Sequence, residues 1–408
     1  MEIQPFRGYR YAGPTPRDVS AVVAPPYDQI SPETQDQLYA MSPHNIVRAT
    51  YPRDGGHKYG GARGALDGWL AEGVWRRDEQ PSIYPYHQTY SVGAQTVTRI
   101  GFVALGEATD YARGVVLPHE RTHAGPKRDR MDLLEATAAD IGLLFMLTGD
   151  PGGELRRATA PSGDPIAEAL DLKGELHRLW RITDDTIIGR VRELMAARQV
   201  IIADGHHRYE TAVSYARSHP GAEYKLMAFF ALGAPGLTIL PNHRLVHGLQ
   251  GFDFDDFVQM AARWFDVSLL ADPQSVELEN RTIGVVSGPD AALLRLRSGA
   301  ENDIAWPEHT SAAWRGLAVS ILHEGLLRPL LGITDAKLDA RTHVDYTADR
   351  AEAIQLARDG KYQAAFLIAR TTAEELQAVV RGGELLPQKS THFYPKLLDG
   401  LVFYRLGE

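Results

Sequence analysis

Ile201-Ile202-Ala203-Asp204-Gly205-His206-His207-Arg208-Tyr209-Glu210-Thr211-Ala212 opens as a strand and closes as a helix. Val200-Ile201-Ile202-Ala203 is a short β-branched apolar run, the pattern of a buried strand. Asp204-Gly205 interrupts it with a tight turn. Beyond the turn, Tyr209, Ala212, Val213 and Ala216 recur at helical spacing. A helix starting there leaves backbone N–H groups unpaired and carries partial positive charge at that end. His206, His207 and Arg208 add donors in the first turn. The combination predicts an anion pocket lined by Asp204, Gly205, His206, His207 and Arg208, with phosphate as its natural guest. A plainer reading also fits: Asp204 caps the helix, Arg208 pairs with Glu and the histidines pack.

The second signal lies upstream, in Val115-Val116-Leu117-Pro118-His119-Glu120-Arg121-Thr122-His123-Ala124-Gly125-Pro126-Lys127-Arg128-Asp129-Arg130. His119-Glu120-Arg121-Thr122-His123 has the H-E-x-x-H spacing of zinc peptidases, which works only when both histidines share one face of a helix. Pro118 before it and Gly125-Pro126 after it leave about two turns of helix at most. Leu143 stands where a third ligand often lies. The favoured reading is a polar loop leaving a strand. In it Glu120 serves as general base, and His119, Lys127, Arg128 and Arg130 hold phosphate oxygens. A solvated charged loop is the bland alternative.

Three further stretches are candidate pocket walls: Pro25-Pro26-Tyr27-Asp28, Pro241-Asn242-His243-Arg244, and Pro387-Gln388-Lys389-Ser390 running on to Lys396. They add Asp28, His243, Arg244, Lys389 and Ser390 as substrate-pocket residues, against loop rigidity, a structural turn and a solvated tail. The chain has no G-x-x-x-x-G-K-[ST], no G-x-G-x-x-G after a strand and no G-x-S-x-G. A nucleotide handled here is held by a less common architecture.

Working outward, 408 residues with 44% hydrophobic and 23% charged side chains form a globular protein with ample core material. Strands are expected at 82–90, 96–105, 200–203, 282–287 and 365–368. Helices are expected from Ser31-Pro32-Glu33 and at 62–70, 187–198, 311–326 and 348–358. Their alternation gives a mixed α/β (α+β) fold. Three regions follow: an N-terminal α/β segment 1–81, a central domain 82–251 and a C-terminal α/β domain 252–408. Zero cysteines exclude disulfides, thiolate metal sites and cysteine nucleophiles, and no metal-ligand residues are assigned. A net charge of -9 argues against nucleic acid as partner. The start of the chain shows no signal peptide, and the longest apolar runs, such as 141–147, are too short to span a bilayer. The expectation is a soluble, cytoplasmic small-molecule enzyme without membrane partners; a homo-oligomer is compatible with it.

At these residues the chain resembles the bacterial and archaeal family filed as domain of unknown function 1015. The likeness rests on Pro5-Phe6-Arg7-Gly8, Val23-Ala24-Pro25-Pro26-Tyr27-Asp28, His119-Glu120-Arg121-Thr122 with Asp129-Arg130, Ala203 through Ala212, Pro241-Asn242-His243-Arg244, and Pro387-Gln388-Lys389-Ser390-Thr391. More distantly, Pro118-His119-Glu120 with Asp204-Gly205-His206-His207-Arg208 looks like the motif pair of ParB/sulfiredoxin-like domains, whose free-serine kinases make O-phosphoserine using ADP or ATP. That resemblance implies a ParB/sulfiredoxin-like central catalytic domain. It implies Glu120 as base, Asp204 in the catalytic set, and Gly205, His207 and Arg208 with His119 around phosphate. It also implies Mg²⁺, ATP or ADP as phosphoryl donor, and a small hydroxy compound, L-serine first, as acceptor. A non-catalytic nucleotide-binding switch protein is the alternative, and the zinc hydrolase a third.

Overall fold

Tyr84, Tyr86 and Tyr90 turn inward along one strand, and it folds back on the next through a two-residue turn at Gly93-Ala94. Gly93 supplies the positive φ, 59°, that such a turn needs. This hairpin seeds the larger of two sheets in a computed structural model that describes residues 1–13, 17–53, 58–122 and 124–407. By contact, the chain divides into two units: Met1–Thr238 with Pro395–Glu408, and Ile239–Tyr394. The fold is mixed α/β throughout.

The first unit is built on ten strands: β1 (Ile3–Gln4), β2 (Arg17–Asp18), β3 (Tyr84–Val92), β4 (Gln95–Glu107), β5 (Val116–Leu117), β6 (Leu144–Gly149), β7 (Ala167–Leu170), β8 (Leu176–Leu179), β9 (Val200–Asp204) and β10 (Tyr224–Leu232). Their order is β2-β7-β8-β3-β4-β10-β6-β9-β5, with β1 paired to β4. The central strands β6 and β10 are parallel and nearly wholly buried, which is why they read as unbroken apolar runs. Helices α1 (Pro32–Met41), α2 (Lys58–Ala71), α3 (Ala124–Thr137), α4 (Asp185–Ala196) and α5 (His206–Ser218) complete this unit. Ser31 caps α1 through the Thr34 N–H, and Asp184 caps α4 through Thr186 and Ile187. Ile188, Val191 and Met195 of α4 share a core with Met146, Val200, Ile202, Met227 and Phe229. Helix α2 packs on α3, and α3 on α5.

The second unit holds a six-stranded, wholly antiparallel sheet: β11 (His243–Val246), β12 (Phe265–Leu269), β13 (Thr282–Ser287), β14 (Asp290–Leu296), β15 (Val344–Thr347) and β16 (Ala364–Ile368), in the order β12-β14-β13-β16-β11-β15. Ala353, Ile354 and Ala357 of a helix at Arg350–Arg358 pack against Leu245, Val286, Ala365 and Leu367.

Two expectations change. The boundaries at 81 and 251 do not coincide with this division. The first eighty residues have no sheet of their own large enough for a core: β1 and β2 join the ten-stranded sheet, and residues 395–408 return to the same unit. The single helix expected over 311–326 is broken. Gly316 ends one turn, Leu317 is extended (φ -67°, ψ 135°), and Ala318–Leu322 runs on into a π-helical turn at His323–Leu327.

Phe229 is 1% exposed and stacks on Phe102 at 5.3 Å between ring centroids. Phe229→Ala is expected to destabilise the first unit by about 3 to 5 kcal/mol in urea titration. A loss below roughly 1 kcal/mol would mean that this core is not where the unit's stability lies.

Candidate active site

Strand β5 lies beside β9 and parallel to it, Val116 opposite Val200 and Leu117 opposite Ile201. Parallel neighbours end on the same edge of a sheet, so the loops leaving them meet there. One loop is Pro118-His119-Glu120; the other is Asp204-Gly205 opening α5. Two segments more than eighty residues apart in sequence thus touch: the His119 N–H donates to His206 Nε2 at 3.2 Å, and the two rings meet edge-to-face at 4.6 Å. His119 Nδ1 lies 2.6 Å from the Ile202 carbonyl, which fixes it as the protonated nitrogen of a neutral ring. Burial lowers the pKa of both histidines, which favours their uncharged forms. They offer polar, uncharged surface.

A bulge at Ala203 governs Asp204. Ile202 pairs with Met146 while Asp204 pairs with Phe145, so one residue is extra and the side chain is re-aimed. Asp204 does not cap α5. Gly205 is the cap residue, at φ 101°, and a Cβ there would lie 2.6 Å from a Leu144 methyl. No side chain caps the helix, so its N-terminus keeps the donor character expected from the sequence. The Asp204 carboxylate instead accepts from Arg208 Nη2 at 2.8 Å and from Lys396 Nζ at 2.7 Å. Burial alone would push this carboxyl up, but Lys396 and Arg208 hold it well below the usual range. An acid held this way stays ionised and is a poor proton carrier; it orients two cations. Arg208 is fixed further by donating to the Leu143 carbonyl at 2.7 Å.

Other expected phosphate contacts already have protein partners. Lys127 Nζ and Thr122 Oγ1 both donate to Glu210 Oε2, at 3.0 and 2.8 Å, tying the chain after the His119-Glu120 loop and α3 to α5. Arg128 is exposed on α3, and His207 is half-buried. Arg130 is buried. It sits 4.0 Å over the Tyr27 ring, pairs with Asp129 and donates to the Thr50 carbonyl at 3.0 Å. Glu120 lies half-buried in the loop beside His119. Helix α3 starts only at Ala124, so His119 and Glu120 do not sit on the helix a zinc pair needs; His123 lies outside the described residues.

Next to the Asp204 clamp opens a hollow lined by Tyr27, Arg130, Gly142, Arg208, Lys225 and Asp399, with Leu133 and Leu134 as apolar wall. Asp28 is exposed nearby, and its charge acts on both Arg208 and Asp399. Burial pushes the Asp399 carboxyl up to about 7, against the pull of Arg208, Lys225 and Arg130. Burial pushes the Lys225 ammonium down to about 7; it contacts Asp140 and the Gly142 carbonyl. Sequence reading missed Asp399 and Lys225. The only local signal for Asp399 is an acid inside the apolar run Leu397-Leu398-Asp399-Gly400-Leu401-Val402.

His243, Arg244, Lys389 and Ser390 belong to the second unit. The Ile368 N–H donates to His243 Nδ1 at 3.2 Å. Burial takes His243 down to about 4. Arg244 is fully buried, bonded to the Asn242 and Gln388 carbonyls and to His323. Asn242 Nδ2 donates to the carbonyls of Lys389 and Thr391, and the buried Ser390 donates to the Pro387 carbonyl. His243, Arg244 and Ser390 thus make hydrogen bonds within that unit, and Lys389 contributes its carbonyl.

The clamp makes a pH prediction. Asp204 has a folded pKa below its unfolded value, so its stabilisation is complete above about pH 4 and is lost as pH falls through the folded value. Lys396→Met should cost about 3 kcal/mol of unfolding free energy at pH 7, and the difference from the parent should shrink below about pH 4. A difference independent of pH would contradict the clamp.

The family described as "Protein of unknown function (DUF1015)" matches residues 3–320. No curated protein matches the chain in sequence. Among solved structures the chain is similar to a conserved hypothetical protein from Pyrococcus furiosus, with TM-score 0.38, 13% identity, and 73% of this chain and 93% of that one covered. It is similar to a mutant free serine kinase in complex with AMP, with TM-score 0.38, 12% identity and coverage of 74% and 90%. It is also similar to SbnI with C-terminal truncation from Staphylococcus aureus, with TM-score 0.38, 11% identity and coverage of 73% and 85%. With its family match running over more than three-quarters of its length, the chain belongs to the DUF1015 family.

Proposed function

We propose that this protein is a nucleotide-dependent phosphotransferase acting on the hydroxyl of a free small molecule, L-serine first. The observation that carries the reading is the meeting of the Pro118-His119-Glu120 loop with the uncapped N-terminus of α5, beside an Arg208 clamped by Asp204. These two segments are also the motif pair that resembles free-serine kinases. The reading includes the ParB/sulfiredoxin-like character of the catalytic region.

Phosphoryl transfer needs positioning and positive charge more than covalent help. In this scheme Arg208 and the first-turn N–H groups of α5 hold the phosphates, and Gly205 permits their close approach. The neutral His119 and His206 shape the floor of the site. Glu120 takes the proton of the acceptor hydroxyl as its oxygen attacks the terminal phosphorus of ATP or ADP, and the shortened nucleotide leaves. Asp204 keeps Arg208 and Lys396 in place without titrating. The carboxylates around the site fit a Mg²⁺ carried by the nucleotide better than a protein-held one: Asp204, Glu210 and Asp129 each already take a cation of the chain. When bound, that ion would neutralise phosphate charge.

Purified protein is incubated with Mg²⁺, ATP or ADP, and a pool of amino acids and small alcohols, and products are read by mass spectrometry. The parent should yield a phosphorylated acceptor. Glu120→Gln should lower turnover by roughly 10²- to 10⁴-fold while nucleotide affinity, read by calorimetry, stays nearly unchanged. Nucleotide binding with no product from any acceptor would replace this reading with that of a nucleotide-binding switch.

A further inference from the structure

The hollow beside the clamp holds a carboxylate that the scheme above does not use. Asp399 is 4% exposed, and its Oδ1 has no hydrogen-bond partner among the described residues. Its backbone is pinned on both sides, N–H to the Ala24 carbonyl at 2.9 Å and carbonyl from the Ala24 N–H at 3.1 Å. The backbone is therefore held in place while Oδ1 is left unsatisfied. Leaving a buried acceptor unmade is costly, and native structures rarely do it without a function.

The space in front of Oδ1 is defined by Gly142. A Cβ there would stand 3.2 Å from Arg208 Nη1 and 3.5 Å from Asp399 Oδ1. The absent methyl group leaves a gap bordered by a guanidinium on one side and a carboxylate oxygen on the other. Arg130 and Lys225 are the other cations acting on Asp399, and Lys225 is engaged by Asp140. Opposite charges across so short a gap match a molecule carrying a carboxylate and an ammonium on one carbon. Arg208 borders both places: its Nη2 and Nε lie toward Gly205, where the scheme puts phosphate, and its Nη1 faces this gap, where it would take the carboxylate while Asp399 takes the ammonium. A neutral alcohol or a hydroxy acid would offer Asp399 Oδ1 only a weaker, uncharged donor.

We propose that Asp399 is the specificity-determining residue of the acceptor pocket, its Oδ1 accepting from the ligand's ammonium while Arg208 holds the carboxylate. Turnover of such a ligand rests on the phosphotransferase reading; its binding does not. An ammonium bound there keeps Asp399 ionised against the upward pull of burial.

The test is calorimetric binding of L-serine and of 3-hydroxypropanoate, which lacks only the amine, to the full chain at pH 8. Phosphorylation of both with ATP and Mg²⁺ is measured in parallel. The parent should bind L-serine at least about 30-fold more tightly than 3-hydroxypropanoate, and Asp399→Asn should erase most of that preference. In that variant L-serine weakens on the order of 100-fold and 3-hydroxypropanoate changes by less than about threefold. Gly142→Ala, which fills the gap, should weaken L-serine by about tenfold or more and carries the test if Asp399→Asn does not fold. No L-serine binding by the parent, equal losses of both ligands in Asp399→Asn, or unchanged affinity in Gly142→Ala overturns the assignment. Asp399-dependent serine binding without any phosphorylation upholds the pocket and sinks the kinase. Undiminished serine phosphorylation in Asp399→Asn does the reverse.

Discussion

The Asp204 carboxylate, held between Arg208 and Lys396, is the interaction on which the site depends. A buried carboxylate is tolerable only when paired and hydrogen-bonded, since ion desolvation costs several kcal/mol. Here one acid joins three pieces of chain: the end of β9, the first turn of α5, and the returning segment that carries Lys396. The bulge at Ala203 makes this geometry available, and the left-handed Gly205 lets α5 begin immediately afterwards. Arg208 is consequently fixed on two sides, by Asp204 and by the Leu143 carbonyl. A guanidinium already oriented needs little reorganisation when an anion arrives.

The sheet does the remaining positioning. A two-strand parallel contact, β5 on β9, delivers the His119 loop to the α5 N-terminus. Ligand crevices form at such strand ends because loops there diverge from a rigid edge. Burial then determines which groups carry charge. His119 and His206 are pushed neutral, Asp204 stays ionised, and Asp399 and Lys225 are both brought to about 7. One small region therefore contains permanent charges for binding and tunable groups beside them, the division of labour that proton-coupled group transfer uses.

How much of this the sequence revealed follows from which forces are local. The strand–turn–helix at 200–218 was legible because a β-branched run, a glycine and helical spacing are all short-range signals. The alternation of elements likewise gave the α/β class. The parallel contact between β5 and β9 was not legible, since two residues of strand carry no period. Asp204 looked like a helix cap from its neighbours alone. Its carboxylate instead pairs with Arg208 and with Lys396, the latter 192 residues away. Asp399 gave no pattern beyond an acid among leucines and valines. The three-region division was drawn from local breaks in the sequence, whereas the large sheet recruits strands from residue 3 to residue 232. His243, Arg244, Lys389 and Ser390 were grouped by their polarity. Polarity alone does not reveal the buried contacts that His243, Arg244 and Ser390 make within the second unit.

The most direct test of the central claim is a crystal structure of the protein with ADP and Mg²⁺. The account predicts the terminal phosphate at the N-terminus of α5, within hydrogen-bond distance of Arg208 and bordered by the His119-Glu120 loop, with the Asp204–Lys396 pair intact. Nucleotide bound elsewhere, or Arg208 withdrawn from the phosphate and still held only by Asp204 and Leu143, would contradict it.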